Sequence, residues 1–115
     1  MQIEERRVGG VIVLDVKGRL VLGDGDVLLK DKIHSLAQQG HKHVVLNLAG
    51  VPYVDSAGIG EIVSGYTTLS RAGGTLKLLN LTKRIHDLLA ITKLLTVLES
   101  FTGEDEAVRS FAATV

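Results

Sequence analysis

The sequence contains no cysteine, so disulfide bonds, thiolate metal ligands and thiol nucleophiles are all excluded. Aromatic residues are scarce, with two tyrosines, two phenylalanines and no tryptophan. Lys and Arg together number 13 and Asp and Glu also number 13, so the formal net charge is zero. Nucleic-acid binding is therefore not expected, because it needs a basic excess for the phosphates and aromatic rings on which bases stack.

Long apolar segments are missing as well. Outside glycine-containing segments no apolar run is longer than four residues, as in Val11 to Leu14, so no membrane-inserted segment is expected. The first residues, MQIEERRVGG, lack an apolar stretch of signal-peptide length, and we expect a cytoplasmic protein. A length of 115 residues with 45% hydrophobic residues predicts one folded domain over residues 1–115.

Hydrophobic patterning predicts that the chain begins with a β-hairpin. Ile3 to Val8 and Val11 to Val16 have the composition of strands, and Gly9 and Gly10 between them can both adopt positive φ in a tight turn. The second of these strands is mostly apolar on both faces, which predicts an interior position in a covered sheet.

Helices and strands then alternate. Strands are predicted at His43 to Leu48 and Thr75 to Leu79, and a first helix is expected to end at Gly40. Apolar residues at helical spacing mark the buried faces: Leu29, Ile33, Leu36 and Ala37 in the first helix, and Ile59, Ile62, Val63, Tyr66 and Leu69 in the second.

The last third of the chain predicts two more helices, at Thr82 to Ala90 and at Glu104 to Ala113, with a short apolar stretch at Thr96 to Leu98 between them. The whole order predicts an α/β fold. We expect a mixed sheet of about five strands, with an antiparallel N-terminal hairpin followed by parallel strands, and about four helices.

The segment VPYVDSAGIGE, residues 51–61, is the most informative part of the sequence. It lies where a strand ends and a helix begins, and the carboxyl ends of parallel strands are where α/β folds place their sites. Asp55 or Ser56 is expected to cap the helix, because either side-chain oxygen can accept a hydrogen bond from a first-turn amide. A phosphoryl group on Ser56 would also be tolerated there, at the positive end of the helix dipole.

Small residues in this first turn predict a surface that a partner can approach closely. Glycine weakens a helix, but without a side chain it leaves the helix backbone accessible to a partner. A phosphate beside such a surface would oppose docking and give a binary switch. The predicted docking residues are Asp55, Ala57, Gly58, Ile59 and Gly60.

The order of elements and the segments LNLAGVPYVDSAGIGEI and RAGGTLKLLN resemble the STAS family, the sulfate transporter and anti-sigma factor antagonist domain. Within it the chain is most similar to bacterial anti-sigma factor antagonists, whose motif is a strand ending in Asp-Ser, a small residue and glycine. Asp55, Ser56, Ala57 and Gly58 occupy those positions.

The resemblance implies a non-enzymatic binding protein without a cofactor. It implies that Ser56 is phosphorylated by a partner that is both anti-sigma factor and serine kinase, and is dephosphorylated by a metal-dependent serine phosphatase. The unphosphorylated protein would bind the kinase and free the sigma factor. Family members often carry an Asp near this serine, directly after Gly-x-Leu; here Val21 follows Leu20, and Asp24 is expected to replace that Asp after a shifted loop.

Other functions remain as alternatives. A scaffold subunit of a signalling assembly and an accessory subunit of a membrane lipid transporter also fit a STAS domain. A serine hydrolase does not, because residue 54 is Val, so Ser56 lacks a Gly-x-Ser-x-Gly turn, and no histidine lies in an identifiable loop facing it.

Three further clusters are expected to be structural or solvated, and no metal site is predicted. They are His41 with His43, the acidic loop Gly23 to Asp26, and the basic cluster Lys83, Arg84 and His86.

Overall fold

A computed structural model describes residues 1–112 of the protein. Five strands and four helices follow in the order β1 (Gln2–Val8), β2 (Val11–Lys17), α1 (Asp26–Gln38), β3 (His43–Gly50), α2 (Ser56–Arg71), β4 (Thr75–Leu79), α3 (Lys83–Ile91), β5 (Ser100–Phe101) and α4 (Glu104–Ala112). The predicted α/β fold is confirmed. The predicted helix end at Ala113 lies outside the described residues. Within the described residues no helix combines the length and the apolar character needed to cross a membrane.

The strands form one sheet in the order β1-β2-β3-β4-β5. β1 pairs antiparallel with β2, and every later pair is parallel. Gly9 and Gly10 turn the hairpin with φ of 54° and 83°, a conformation that glycine adopts without steric cost. The prediction of an N-terminal hairpin with an interior second strand is confirmed, since β2 lies between β1 and β3.

Side chains alternate between two cores on opposite faces of the sheet. On one face Leu14, Leu46 and Leu78 join a large core with buried residues of α1, α2 and α3. On the other face Val13 and Val45 join a smaller core under α4. Because β2 and β3 are covered on both faces, each contains a run of consecutive apolar residues, 11–14 in β2 and 44–46 in β3.

The predicted helical faces are confirmed for Leu29, Ile33 and Leu36 in α1 and for Ile62 and Leu69 in α2, all of which are buried. The side chains of Ile59, Val63 and Tyr66 are only half-buried. The remaining buried positions of α2 are Gly58 and Gly65.

Gly65 brings α1 and α2 together. A β-carbon at residue 65 would lie 2.6 Å from Cδ1 of Ile33, so a side chain there would displace the end of the Ile33 side chain. Apolar periodicity misses such positions, since it registers large side chains and not the gaps into which they fit.

The fifth strand follows the apolar stretch Thr96 to Leu98 and does not include it. Leu94–Thr96 forms a 3-10 turn, and Leu98 is buried in the larger core. The strand itself is the two-residue β5, which pairs with Leu78 and Leu79 of β4. Burial of Leu98, rather than strand pairing, explains the apolar signal.

Arg6 connects β1, β2 and α4 through charged hydrogen bonds. Its Nη2 donates to Oδ1 of Asp15 at 3.0 Å and to Oε1 of Glu104 at 2.6 Å. Asn47 Nδ2 donates to the same Asp15 oxygen at 2.9 Å. The bonds from Arg6 lower the pKa of both Asp15 and Glu104, and these carboxylates raise the pKa of Arg6. The cluster therefore holds the first turn of α4 against the sheet.

We predict that Asp15→Asn lowers the free energy of unfolding by about 1 to 2 kcal/mol at pH 7, because the variant loses the charge of the acceptor that Arg6 binds. Folding lowers the pKa of Asp15 below its ordinary value of 3.8. The stability that the Asp15 carboxylate contributes is therefore fully present at pH values above 3.8, and it is lost as the pH falls through the pKa of the folded state. The difference between wild type and variant should therefore shrink in acid. Urea unfolding at several pH values measures it.

The matched control is Glu5→Gln, which breaks the surface pair between Glu5 and Lys32 at 2.8 Å. We expect a change below about 0.5 kcal/mol, because exposed ion pairs contribute little. Equal losses in the two variants, or a loss in Asp15→Asn that stays constant into acid, would contradict the assignment.

Candidate functional site

The connection between β3 and α2 is tied to the loop that follows β2. Leu20 N donates to the Tyr53 carbonyl at 3.0 Å, and Asp55 N donates to the Leu20 carbonyl at 3.3 Å. Leu20 and Val54 are both buried in the larger core. These contacts hold Asp55 at the end of the connection, where α2 begins.

Asp55 is the N-cap of α2. Its Oδ1 accepts a hydrogen bond from Gly58 N at 2.9 Å, and its Oδ2 accepts one from Leu22 N at 3.0 Å. The amide of Gly58, followed by that of Leu22, lowers the pKa of the Asp55 carboxyl. Of the two capping residues that the sequence allows, the structure therefore assigns the role to Asp55.

Ser56 is the first residue of α2, and its side chain is exposed. Its hydroxyl makes no hydrogen bond within residues 1–112, since the capping bond belongs to the Asp55 carboxylate. The neighbouring Ala57 and Ile59 are half-buried. Ser56 thus presents an unengaged hydroxyl at the positive end of a helix of 16 residues.

Gly58 and Gly60 lie in opposite environments. A β-carbon at residue 58 would overlap the Leu20 carbonyl oxygen and would lie 2.8 Å from Val54 Cγ1, whereas a β-carbon at residue 60 meets nothing within 4 Å. Gly58 is buried and its small size serves internal packing, while the docking role predicted for it stays a prediction. Gly60 is exposed, and the docking role predicted for it stays a prediction.

A groove of about 460 Å³ runs between the start of α2 and one side of α3. Its walls are formed by eight residues: Tyr53, Val54, Asp55, Ser56, Arg84, Asp87, Leu88 and Ile91. The guanidinium carbon of Arg84 lies 4.6 Å from the centre of the Tyr53 ring. Two large apolar side chains are unusually exposed here: Ile91 in the wall, at 79%, and Leu22 beside Asp55, at 75%.

Sequence reasoning placed Arg84 in a solvated basic cluster and missed this groove. The residue is indeed exposed, but α3 brings it to the same groove as Ser56, although 28 positions separate them in the chain. No local pattern contains that information, because it depends on where α3 packs. The basic cluster itself was the only feature of the sequence that pointed to a role for Arg84.

Comparison with known proteins identifies the family. The family model described as STAS domain matches residues 2–107. The chain belongs to the STAS domain family. It is 24% identical over 107 residues to the anti-sigma F factor antagonist of Paenibacillus polymyxa, covering 93% of this chain and 92% of the relative. It is 35% identical over 83 residues to the anti-sigma-B factor antagonist of Bacillus subtilis (strain 168), covering 69% and 75% of the two chains.

The fold of this STAS domain is also that of SpoIIAA. The structure of the anti-sigma factor antagonist SpoIIAA in its unphosphorylated form matches with a TM-score of 0.74 and 16% identity, covering 99% of this chain and 100% of that one. The structure of the Bacillus cell fate determinant SpoIIAA in the phosphorylated form matches with a TM-score of 0.74 and 20% identity, covering 96% of this chain and 99% of that one.

Asp24 does not line the groove. Its backbone closes a turn with Val21, through hydrogen bonds of 3.0 and 3.1 Å, and its Oδ1 lies 3.6 Å from the Met1 amine. The loop reaches the site through Leu22 instead, which donates its amide to Asp55. The role expected for Asp24 beside the serine stays a prediction.

The other candidate clusters of the STAS domain have structural surroundings. The His43 ring stacks on Phe111 at 4.7 Å between centroids. In the acidic loop, Asp26 is buried and accepts a hydrogen bond from Gly23 N at 3.1 Å. Among the described residues no group of three or more His, Cys, Asp or Glu is placed to hold a metal ion.

We predict that Gly58→Ala and Gly60→Ala change stability in opposite directions. Gly58→Ala should lower the free energy of unfolding by about 2 to 3 kcal/mol, because α2 must move away from Leu20. Gly60→Ala adds the same methyl group in open space and should raise it by about 0.5 to 1 kcal/mol. Urea unfolding of both variants is the measurement, and similar effects at the two positions would contradict the packing role of Gly58.

Proposed function

We propose that this STAS domain is an anti-sigma factor antagonist whose partner is an anti-sigma factor with serine kinase activity. The names of two curated relatives, both anti-sigma factor antagonists, support this class of function. In the proposed cycle, the protein with an unmodified Ser56 binds the kinase and frees the sigma factor. Phosphorylation of Ser56 ends the complex.

The observation that carries the proposal is the position of Ser56. Its hydroxyl is exposed in the first turn of α2, while the neighbouring Asp55 supplies the helix cap. Modification of Ser56 therefore removes no hydrogen bond on which the start of α2 depends. In a serine that capped the helix, phosphorylation would convert the accepting hydroxyl oxygen into an ester oxygen and so alter the cap.

The chemistry follows a phosphoryl transfer and its reversal. The kinase partner would transfer the γ-phosphoryl group of ATP to Ser56 Oγ, releasing ADP and a proton. A metal-dependent phosphatase would hydrolyse the phosphoserine with water and release inorganic phosphate. The modification adds between one and a half and two negative charges, which the N-terminal end of α2 tolerates and an apposed protein surface does not.

The surroundings of Ser56 suit a docking surface. Exposed Leu22 and Ile91 supply apolar area near the α2 terminus, and the groove between α2 and α3 supplies a concave surface. No histidine lines the groove that Ser56 borders, and the neighbouring Asp55 carboxylate already accepts hydrogen bonds from two backbone amides. We therefore propose a binding role for Ser56 and not a catalytic one.

We predict that Ser56→Asp weakens partner binding by about tenfold or more, because a fixed negative charge opposes the apposed surface. Ser56→Ala should bind like the unmodified protein. The measurement is capture from lysate of the source organism with wild-type, Ser56→Ala and Ser56→Asp baits, with the retained proteins identified by mass spectrometry. A serine-kinase-like protein held by the first two baits and lost from the third is the expected result.

Ser70→Asp is the matched control. Ser70 is exposed near the far end of the same helix, so the variant adds an equal charge away from the groove and should retain the partner. Equal recovery of transporter subunits or scaffold proteins by all baits would contradict the proposal. Loss of binding in both Ser56 variants together with a lowered melting temperature would instead make Ser56 a structural residue.

A further inference from the structure

Two arginines lie against the ring of Tyr53, close to the start of α2. The guanidinium carbon of Arg84 is 4.6 Å from the ring centre and that of Arg19 is 5.5 Å from it. Tyr53, Ser56 and Arg84 all line the same groove. Because the face of an aromatic ring attracts cations, Tyr53 holds the Arg84 guanidinium in the groove that Ser56 borders.

Among residues 1–112, Arg84 is the only cation in the wall of this groove. The other charged groups are the carboxylates of Asp55 and Asp87. Asp55 accepts two amide hydrogen bonds, and Asp87 Oδ1 lies 3.6 Å from His86 Nδ1. In the part of the chain that the structure describes, Arg84 forms no salt bridge with either carboxylate. A phosphoryl group on Ser56 would therefore enter a groove with two carboxylates and one guanidinium that forms no salt bridge with them.

We propose that Arg84 binds the phosphoryl group on Ser56 and so senses the phosphorylation state of the protein. The inference rests on the proposed function, since it requires that Ser56 is modified. A guanidinium presents parallel N–H donors that match two phosphate oxygens, and these charge-assisted bonds are stronger than the contact with a ring face. Stacking on Tyr53 limits the freedom of the Arg84 side chain, so less entropy is lost when the bonds form.

The contact would join the start of α2 to α3 across the groove. The phosphoryl group would occupy the Ser56 end of the groove and also engage the Arg84 guanidinium in its wall. A partner would then lose access to this positive charge and would also meet a negative charge. The switch would work by changing the charge of the docking surface, with no rearrangement of the sheet or its helices.

The test uses full-length protein with phosphoserine installed at residue 56 during translation, so no kinase is needed. Phosphorus-31 NMR then follows the phosphoserine signal as a function of pH. A nearby guanidinium favours the dianion and lowers the second pKa of the phosphoryl group, whereas the carboxylates of Asp55 and Asp87 oppose the dianion and raise that pKa. Arg84→Gln should raise it by about 0.5 pH unit. Arg84→Lys, which keeps the charge but not the planar donors, should give an intermediate value.

Lys83→Gln is the matched control, because Lys83 is an exposed cation in the same turn of α3 but outside the groove wall. It should leave the titration nearly unchanged. Equal shifts in Lys83→Gln and Arg84→Gln would reflect the general charge of α3 and would overturn the assignment. A phosphoserine that titrates identically in wild type and Arg84→Gln would overturn it as well.

The titration and the partner capture can fail independently. If Arg84→Gln shifts the titration but Ser56→Asp still holds its partner, the phosphate contact stands and the proposed function is wrong. If Ser56→Asp loses the partner and Arg84→Gln does not shift the titration, the proposed function stands and the role of Arg84 is wrong.

Discussion

The two hydrogen bonds accepted by the Asp55 carboxylate determine the geometry of the site. One bond, from Gly58 N, begins α2, and the other, from Leu22 N, holds the loop after β2 against that beginning. A single carboxylate therefore sets both the direction of the helix and the position of its neighbouring loop. Ser56 is exposed because Asp55 has already taken the capping role. The same two amides favour the ionised form of the Asp55 carboxyl by lowering its pKa.

Close packing behind this terminus makes the arrangement rigid. Leu20 is fully buried, and its carbonyl lies where a side chain at residue 58 would be. The glycine costs helix propensity, but it allows the buried loop and the helix to approach each other.

The two faces of the sheet have different roles. The face covered by α1, α2 and α3 carries the groove, while Arg6 and its carboxylate partners secure α4 on the opposite face. A charge added at Ser56 therefore acts on a surface that the rest of the fold holds in place.

Much of the fold could be predicted from local patterns. Three patterns each specify one element that the structure contains: the two glycines of the hairpin, the apolar run 11–14 of β2, and the spacing of Leu29, Ile33 and Leu36. Local patterns were less informative where two elements meet. Gly65 looks like a weak position in α2, yet it contacts Ile33 of α1, and the two-residue β5 is too short to leave a periodic signal.

For the site, the sequence by itself determined that a helix begins at the Asp55-Ser56 pair, because capping chemistry and small residues are local properties of the chain. Only the tertiary structure decided between the two capping oxygens, placed Gly58 inside and Gly60 outside, and brought Arg84 onto Tyr53. The physical reason is that the spacing of residues along one helix or strand follows from backbone geometry. Contact between residues that are distant in the sequence depends instead on how the helices and strands pack, and sequences with the same local pattern could pack differently.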